Sequence, residues 1–189
     1  MTTKIAFSLF ILLAVAPDYG AAYAAGTEAP VASEVSPPGD IPDNQAFITF
    51  SSPSGYTIKV PEGWARKDGA QSAVFSDKYN HISLVTHDAV AKIDAAYAKY
   101  TLVPELEKSG HAVANVKVTT VKLKAGTVIK LAYDTNSEPN AITNKQVREE
   151  NEKFYYTNKG KLVELTLSAP KGADDVDQWK FISSSFRWK

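Results

Sequence analysis

The sequence contains no cysteine in its 189 residues. This excludes disulfides, thiolate catalysis and zinc sites built on sulfur. It also excludes a lipoprotein anchor, whose lipid is carried by a cysteine at the cleavage point. An excess of one charge is missing as well: 21 basic side chains stand against 21 acidic ones. No global field therefore draws nucleic acid or an anionic membrane to the chain. Histidine is scarce, at His81, His87 and His111. On a straight strand the first two share a face but lie about 20 Å apart at ~3.3 Å per residue, too far to share a metal ion. His87 and the adjacent Asp88 point to opposite faces of such a strand.

The usual catalytic signatures are missing too. There is no G-x-S-x-G, no P-loop and no G-x-G-x-x-G, and the triple Ser183-Ser184-Ser185 falls in a predicted helix. The acidic run "REENEK" (Arg148–Lys153) does not supply the loop of converging oxygens that calcium needs. Its Glu149, Glu150 and Glu152 alternate faces and read as the solvated, charged edge of a strand. "GADDVD" is accounted for by helix capping. No catalytic, metal or cofactor site is expected; the chain does not read as an enzyme, and the alternative is an extracytoplasmic enzyme whose site matches none of these signatures.

Long apolar runs are confined to the N-terminus. Lys4 precedes an apolar run of twelve residues, Ile5–Ala16, and "AYA" (Ala22, Tyr23, Ala24) offers an A-x-A cleavage site after Ala24 or Ala25. A run this short falls below the ~20 residues that a spanning helix requires. Residues 1–24 therefore read as a signal peptide, which places the mature protein outside the cytoplasm, secreted or periplasmic and without a stable membrane anchor. Residues 25–44 are rich in Pro, Ala, Ser and acid, lack an apolar period, and read as a disordered linker. Residues 45–189 are left as a single domain.

Within that domain "FITF" and "YTIKV" (Tyr56–Val60) alternate across a Ser51–Gly55 turn, and "SAVFSD" and "HISLVTH" flank a bend at Lys78, Tyr79 and Asn80. The period then changes: Ile93, Ala96, Tyr97 and Tyr100 have the spacing of one helical face, with Pro104 breaking or restarting the helix and Gly110 capping it. Val116 and Val118 alternate, and the parity shift to Val121 and Leu123 suggests a bulge at Thr119-Thr120. "TVIKLAYD", "KQVREENEKFYY" and "LVELTLSAP" complete the strands, with "TNKGK" as a hairpin turn in which Gly160 takes positive φ. A final helix has Asp174 as its cap, Asp175 and Asp177 at its positive end, and a stripe of Val176, Trp179, Ile182 and Phe186. Strands, helix, strands, helix make an α+β fold, a mostly antiparallel sheet with helices packed on it.

Three segments resemble the PsbP-like family, named for an extrinsic subunit of photosystem II and sharing its fold with a small Ran-binding protein of eukaryotes. "GYTIKVPEGW" (Gly55–Trp64) is similar to the family's strand ending in Pro-x-x-Trp. "AVFSDKYNHISLVT" is similar to its next hairpin, and "EKFYYTNKGKLVELTLSAP" with "DQWKFISSSFRW" to its closing hairpin and helix. The resemblance implies a sheet sandwiched by helices in an α/β/α arrangement. It also implies an accessory or binding role with a protein or membrane-complex partner, not with nucleic acid.

Contacts would come from one sheet face, from the loop Thr135–Asn144, or from the arm Gly26–Asn44. Trp64 has two readings, as cover for the end of the sheet or as a surface that stacks on a ligand. Trp188, beside Arg187 beyond the last helix, either tucks into the sheet edge or anchors an interface. Trp64, Arg187 and Trp188 are thus the candidate partner-binding residues.

Overall fold

The computed structural model describes residues 28–35, 39–88 and 92–189. The expected signal peptide, 1–24, lies outside them. Two antiparallel sheets form the frame. The smaller contains β1 (Phe47–Ser52), β2 (Tyr56–Pro61) and β10 (Arg187–Trp188), in the order β1-β2-β10. The larger contains β3 (Ala65–Asp68), β4 (Ser72–Asp77), β5 (Asn80–Asp88), β6 (Ala114–Leu123), β7 (Gly126–Asn136), β8 (Arg148–Asn158) and β9 (Lys161–Pro170). Its order is β3-β4-β5-β9-β8-β7-β6. Turn chemistry sets the hairpins: Lys159 (φ 45°) and Gly160 (φ 78°) both sit in the left-handed region, the two-residue geometry that matches strand twist.

The large sheet is apolar on both faces. One face packs Phe75, Ile82, Leu84, Phe154, Tyr156, Val163, Leu165 and Leu167 against Tyr56, Ile58 and Val60 of the small sheet and against Trp179, Ile182 and Phe186 of α3 (Val176–Ser185). The other face packs Ile129, Leu131, Tyr133 and Tyr155 under a helix that contains Ala98. This two-sided sheet, with a helix on each side, is the α+β sandwich expected from the sequence. It also accounts for the parity shift in β6. Val116 and Val118 belong to the helix-covered face, and Val121 and Leu123 to the opposite one. The ladder from Lys117 to Leu123 is unbroken, and the irregularity lies instead between Ala114 and Lys117, where Asn115 has φ 57°. The bulge expected at Thr119-Thr120 is therefore a change of face.

Four further expectations are corrected. The strand β3 was not anticipated: all four of its residues are exposed and charged or small, and it is held through its ladder to β4. The first helix restarts around Pro104 as expected, but Ala96 and Tyr100 of its expected apolar face are exposed. Helix α1 (Ala95–Tyr97) continues through a π turn (Ala98–Leu102) into α2 (Val103–Lys108). Proline has no N–H and clashes with the carbonyl four residues back, and a wider turn before it relieves both problems. The widening rotates the helical face, so Tyr100 is 74% exposed instead of facing the core.

The strand carrying "REENEK" is not an edge. It is β8, paired on both sides by β7 and β9, with Arg148, Glu149 and Asn151 buried. At the last helix, the N-cap is Asp175 instead of Asp174, and Val176 points outward at 72% exposure. Gly110 follows the cap residue Ser109 with φ 93°, as expected for a helix end.

The packed chain begins before Gln45. Ile41 is 4% exposed within the core. Its N–H donates to Asp175 Oδ1 at 2.6 Å, and Gln178 Nε2 donates to its carbonyl at 3.1 Å. Asn80 donates to the Gly39 carbonyl, and the Asp174 N–H donates to Asp40 Oδ1.

Candidate functional site

The same face of the large sheet that buries Phe154 and Tyr156 at one end is polar at the other. Along β8 the residues in phase with those aromatics are Glu150 and Glu152; along β7 they are Lys130, Ala132 and Asp134. The N-terminal end of α3 stops beside this polar half. The result is a cleft of about 240 Å³ lined by Lys117, Asp134, Glu150, Glu152, Asp175 and Trp179, among others.

Two of its acids are neutralised locally. Asp134, 8% exposed, accepts from Lys171 Nζ and from Asn115 Nδ2, each at 2.6 Å. Burial works to raise its pKa, and these two donors more than offset that and hold it below the ordinary value. Glu152 accepts from Lys130 Nζ at 2.6 Å.

The other two acids are not neutralised. Burial pushes Glu150 up, with Asp134 and Glu152 nearby adding to it, against the pull of the Gly172 N–H and of the Lys171 ammonium. Asp175 is 2% exposed, and burial, with Asp40, Glu150 and Asp174 nearby, pushes its carboxyl up to about 6 against the pull of the Ile41 N–H. Among the described residues its second oxygen, Oδ2, is buried without a hydrogen-bond partner. Chemically the cleft is rich in acceptors, with Lys117 also among its lining residues and an indole wall. Among the described residues no group of three or more His, Asp or Glu is arranged to hold a metal ion. The histidines lie elsewhere: His81 and His87 on β5, and His111 between Glu28 and Glu138, with its ring nitrogens 3.2 and 3.1 Å from their carboxylates.

The three residues singled out from the sequence lie apart from this cleft. Trp64 packs against the core and also lines a groove of about 330 Å³ with Ile48, Pro61, Arg66 and Phe75. There the Arg66 guanidinium lies 4.6 Å over the Phe50 ring. Arg187 Nη1 donates to the carbonyls of Ser184 and Phe186, closing the end of α3. Trp188 pairs with Tyr56 in β10 and meets the Tyr56 and Phe186 rings edge-on, at 6.4 and 5.2 Å. Its indole nitrogen is buried and, among the described residues, unpartnered. Trp64 follows one end of β2 and Trp188 pairs at the other, roughly 17 Å away along the strand at ~3.3 Å per residue, so they do not form one surface.

The N-terminal segment meets the end of β7. The Val31 N–H donates to Asn136 Oδ1 at 3.0 Å, and Asn136 Nδ2 donates to Glu28 Oε1 and the Ala29 carbonyl at 2.7 and 2.9 Å. Sequence reasoning missed the cleft. Its only signal was the phase that Glu150 and Glu152 share with Phe154 and Tyr156.

The chain has the PsbP/Mog1-like fold. Over 80% of its length it superposes on 98% of cyanobacterial PsbP (CyanoP) from Synechocystis, with a TM-score of 0.55 and 16% identity. Over 77% of its length it superposes on 96% of the Ran-binding protein Mog1p of Saccharomyces cerevisiae, with a TM-score of 0.52 and 11% identity. By sequence, no family model and no curated protein matches the chain. Among the described residues no helix is long and apolar enough to cross a membrane.

Proposed function

We propose that this protein is a non-catalytic binding or accessory module that acts outside the cytoplasm through contacts with a protein partner. The observation that supports this most is the shared fold with a Ran-binding protein, matched over nearly the whole of that chain. The site agrees with it in kind. The cleft offers hydrogen-bond acceptors and an aromatic wall, without a histidine or an evident nucleophile among its lining residues. The N-terminal apolar run and its A-x-A site support an extracytoplasmic location. An extrinsic subunit of a membrane complex is one form that such a module takes.

The test is affinity capture from native envelope extract with the chain from Gly26 and with a shorter chain from Gly39. A partner retained in fixed stoichiometry on both, and co-migrating on gel filtration, is the expected result. Retention on the longer chain alone would place the contact on residues 26–38. Absence of any partner above a control bait would overturn the reading.

A further inference from the structure

Resting on that reading as a binding module, we infer that the cleft beside α3 is the receptor for one organic cation, a guanidinium or alkylammonium group such as an arginine or lysine side chain presents. The argument begins with the charges. Asp134 and Glu152 are paired with Lys171 and Lys130, whereas Glu150, which feels Lys171 only at longer range, and Asp175 have no cationic side chain in contact among the described residues. Asp40 and Asp174 add to the repulsion at Asp175. Lys117, the cationic residue lining the cleft, is exposed on the outermost strand β6.

A buried polar atom left without a partner is costly and rare in folded proteins, and a missing water, ion or ligand is its usual explanation. Asp175 Oδ2 is such an atom, on a residue 2% exposed that lines the cleft. It serves no capping role, because the Asp175 side chain makes no cap hydrogen bond to α3 and its other oxygen holds Ile41. The partial positive charge at the start of α3 is met by Asp175 and Asp177. What Asp175 Oδ2 lacks, among the described residues, is a donor.

Three features select the kind of donor. A divalent metal needs several oxygens converging on one point, and no such group exists among the described residues. The Trp179 wall suits a weakly hydrated organic cation, which gains from an aromatic neighbour when desolvated. The volume, about 240 Å³, is below the range of roughly 300–1,000 Å³ typical of whole small-molecule sites, so it accommodates a group of one side chain's size. Binding requires Asp175 as the carboxylate. The groups facing it are the Ile41 N–H, Asp40, Asp174 and Glu150, so uptake of the cation strengthens as pH rises through about 6.

The experiment uses the full mature chain and NMR of the tryptophan indole N–H signals, with Trp179 assigned through Trp179→Phe. Two cationic probes are titrated, agmatine and the peptide acetyl-Gly-Arg-Gly-amide, with the citrulline peptide as the neutral isostere. The expected result is a saturable shift of the Trp179 signal by at least one cationic probe, with affinity at least about tenfold above the citrulline peptide. Glu150→Gln, checked for an unchanged unfolding midpoint, weakens that affinity by about tenfold. Lowering the pH from 7.5 to 5 weakens it in the wild type, which decides the matter if the variant does not fold.

Binding of the peptide but not agmatine assigns the cation to a protein partner; the reverse assigns it to a free small molecule. The inference is overturned if neither probe moves Trp179 up to about 10 mM, or if citrulline binds as well as arginine. A captured partner with no cation binding would remove this inference and leave the module intact. Cation binding with no captured partner would do the opposite.

Discussion

Glu149 faces away from the cleft in phase, yet it is only 8% exposed on a central strand. Burial, helped by the nearby Glu138, pushes its carboxyl up to about 7 from an ordinary 4.5. The folded protein therefore holds this proton more tightly than the unfolded chain does. Stability from it is complete below pH 4.5 and is lost as pH rises toward 7, the reverse of a salt-bridged acid. Glu149→Gln keeps the shape and removes the titration. Urea unfolding at pH 5 and pH 8 should show the variant near wild type at the lower pH and more stable by about 2 kcal/mol at the higher one. Equal stabilities at pH 8 would show that the carboxylate is solvated after all.

At the scale of elements, α3 is fastened to both sheets by an aromatic column. Phe186 stacks on Tyr156 at 4.0 Å and on Tyr56 at 5.2 Å, and all three are at most 1% exposed. The Tyr156 hydroxyl donates to the Ser183 carbonyl at 2.8 Å, and Ser185 Oγ accepts from the Lys59 N–H at 2.8 Å. Phe186→Ala should cost about 3–5 kcal/mol, since it opens a cavity against two rings. Tyr156→Phe, which removes one hydrogen bond and leaves the Ser183 carbonyl short of a donor, should cost about 1–2 kcal/mol. Denaturant titrations with unchanged slopes check both values.

This column was legible in the sequence, because Trp179, Ile182 and Phe186 repeat at helical spacing and Tyr156 sits in a clear strand. The hairpins were legible for the same reason: each depends on local turn chemistry and a period of two. The failures share a different cause. Tyr100 leaves the expected face because a π turn before Pro104 breaks the 3.6-residue period. β3 has no apolar period, since its contribution is backbone pairing. "REENEK" looked like an edge because charge suggests solvent, whereas its place between β7 and β9 depends on strand order, which no local pattern records. The cleft was hidden for that reason too. Asp175 and Glu150 are 25 residues apart, and only the packing of α3 on β8 brings them together.

For the whole molecule, the question is where the folding unit starts. Composition pointed to Gln45, but the contacts point to Gly39. Ile41 loses nearly all its exposure in the core formed by both sheets and α3, and its backbone is bound on both sides, by Asp175 and by Gln178. A chain beginning at Gly39 retains every one of these contacts. One beginning at Gln45 loses a buried isoleucine side chain, worth about 1.5–3 kcal/mol, and strips a hydrogen bond from the buried Asp175 carboxyl. For a domain of this length each kcal/mol corresponds to roughly 2–4 °C in Tm. Calorimetry should therefore place the chain from Gly39 within about a degree of the full mature chain and the chain from Gln45 roughly 5–10 °C lower. Ile41→Ala in the full chain should reproduce most of that loss. If the chain from Gln45 melts with the others, residues 39–44 are a tail lying on the domain. If it melts early, the α3 end of the cleft is built in part by residues that precede the first strand, and any ligand that uses Asp175 depends on them.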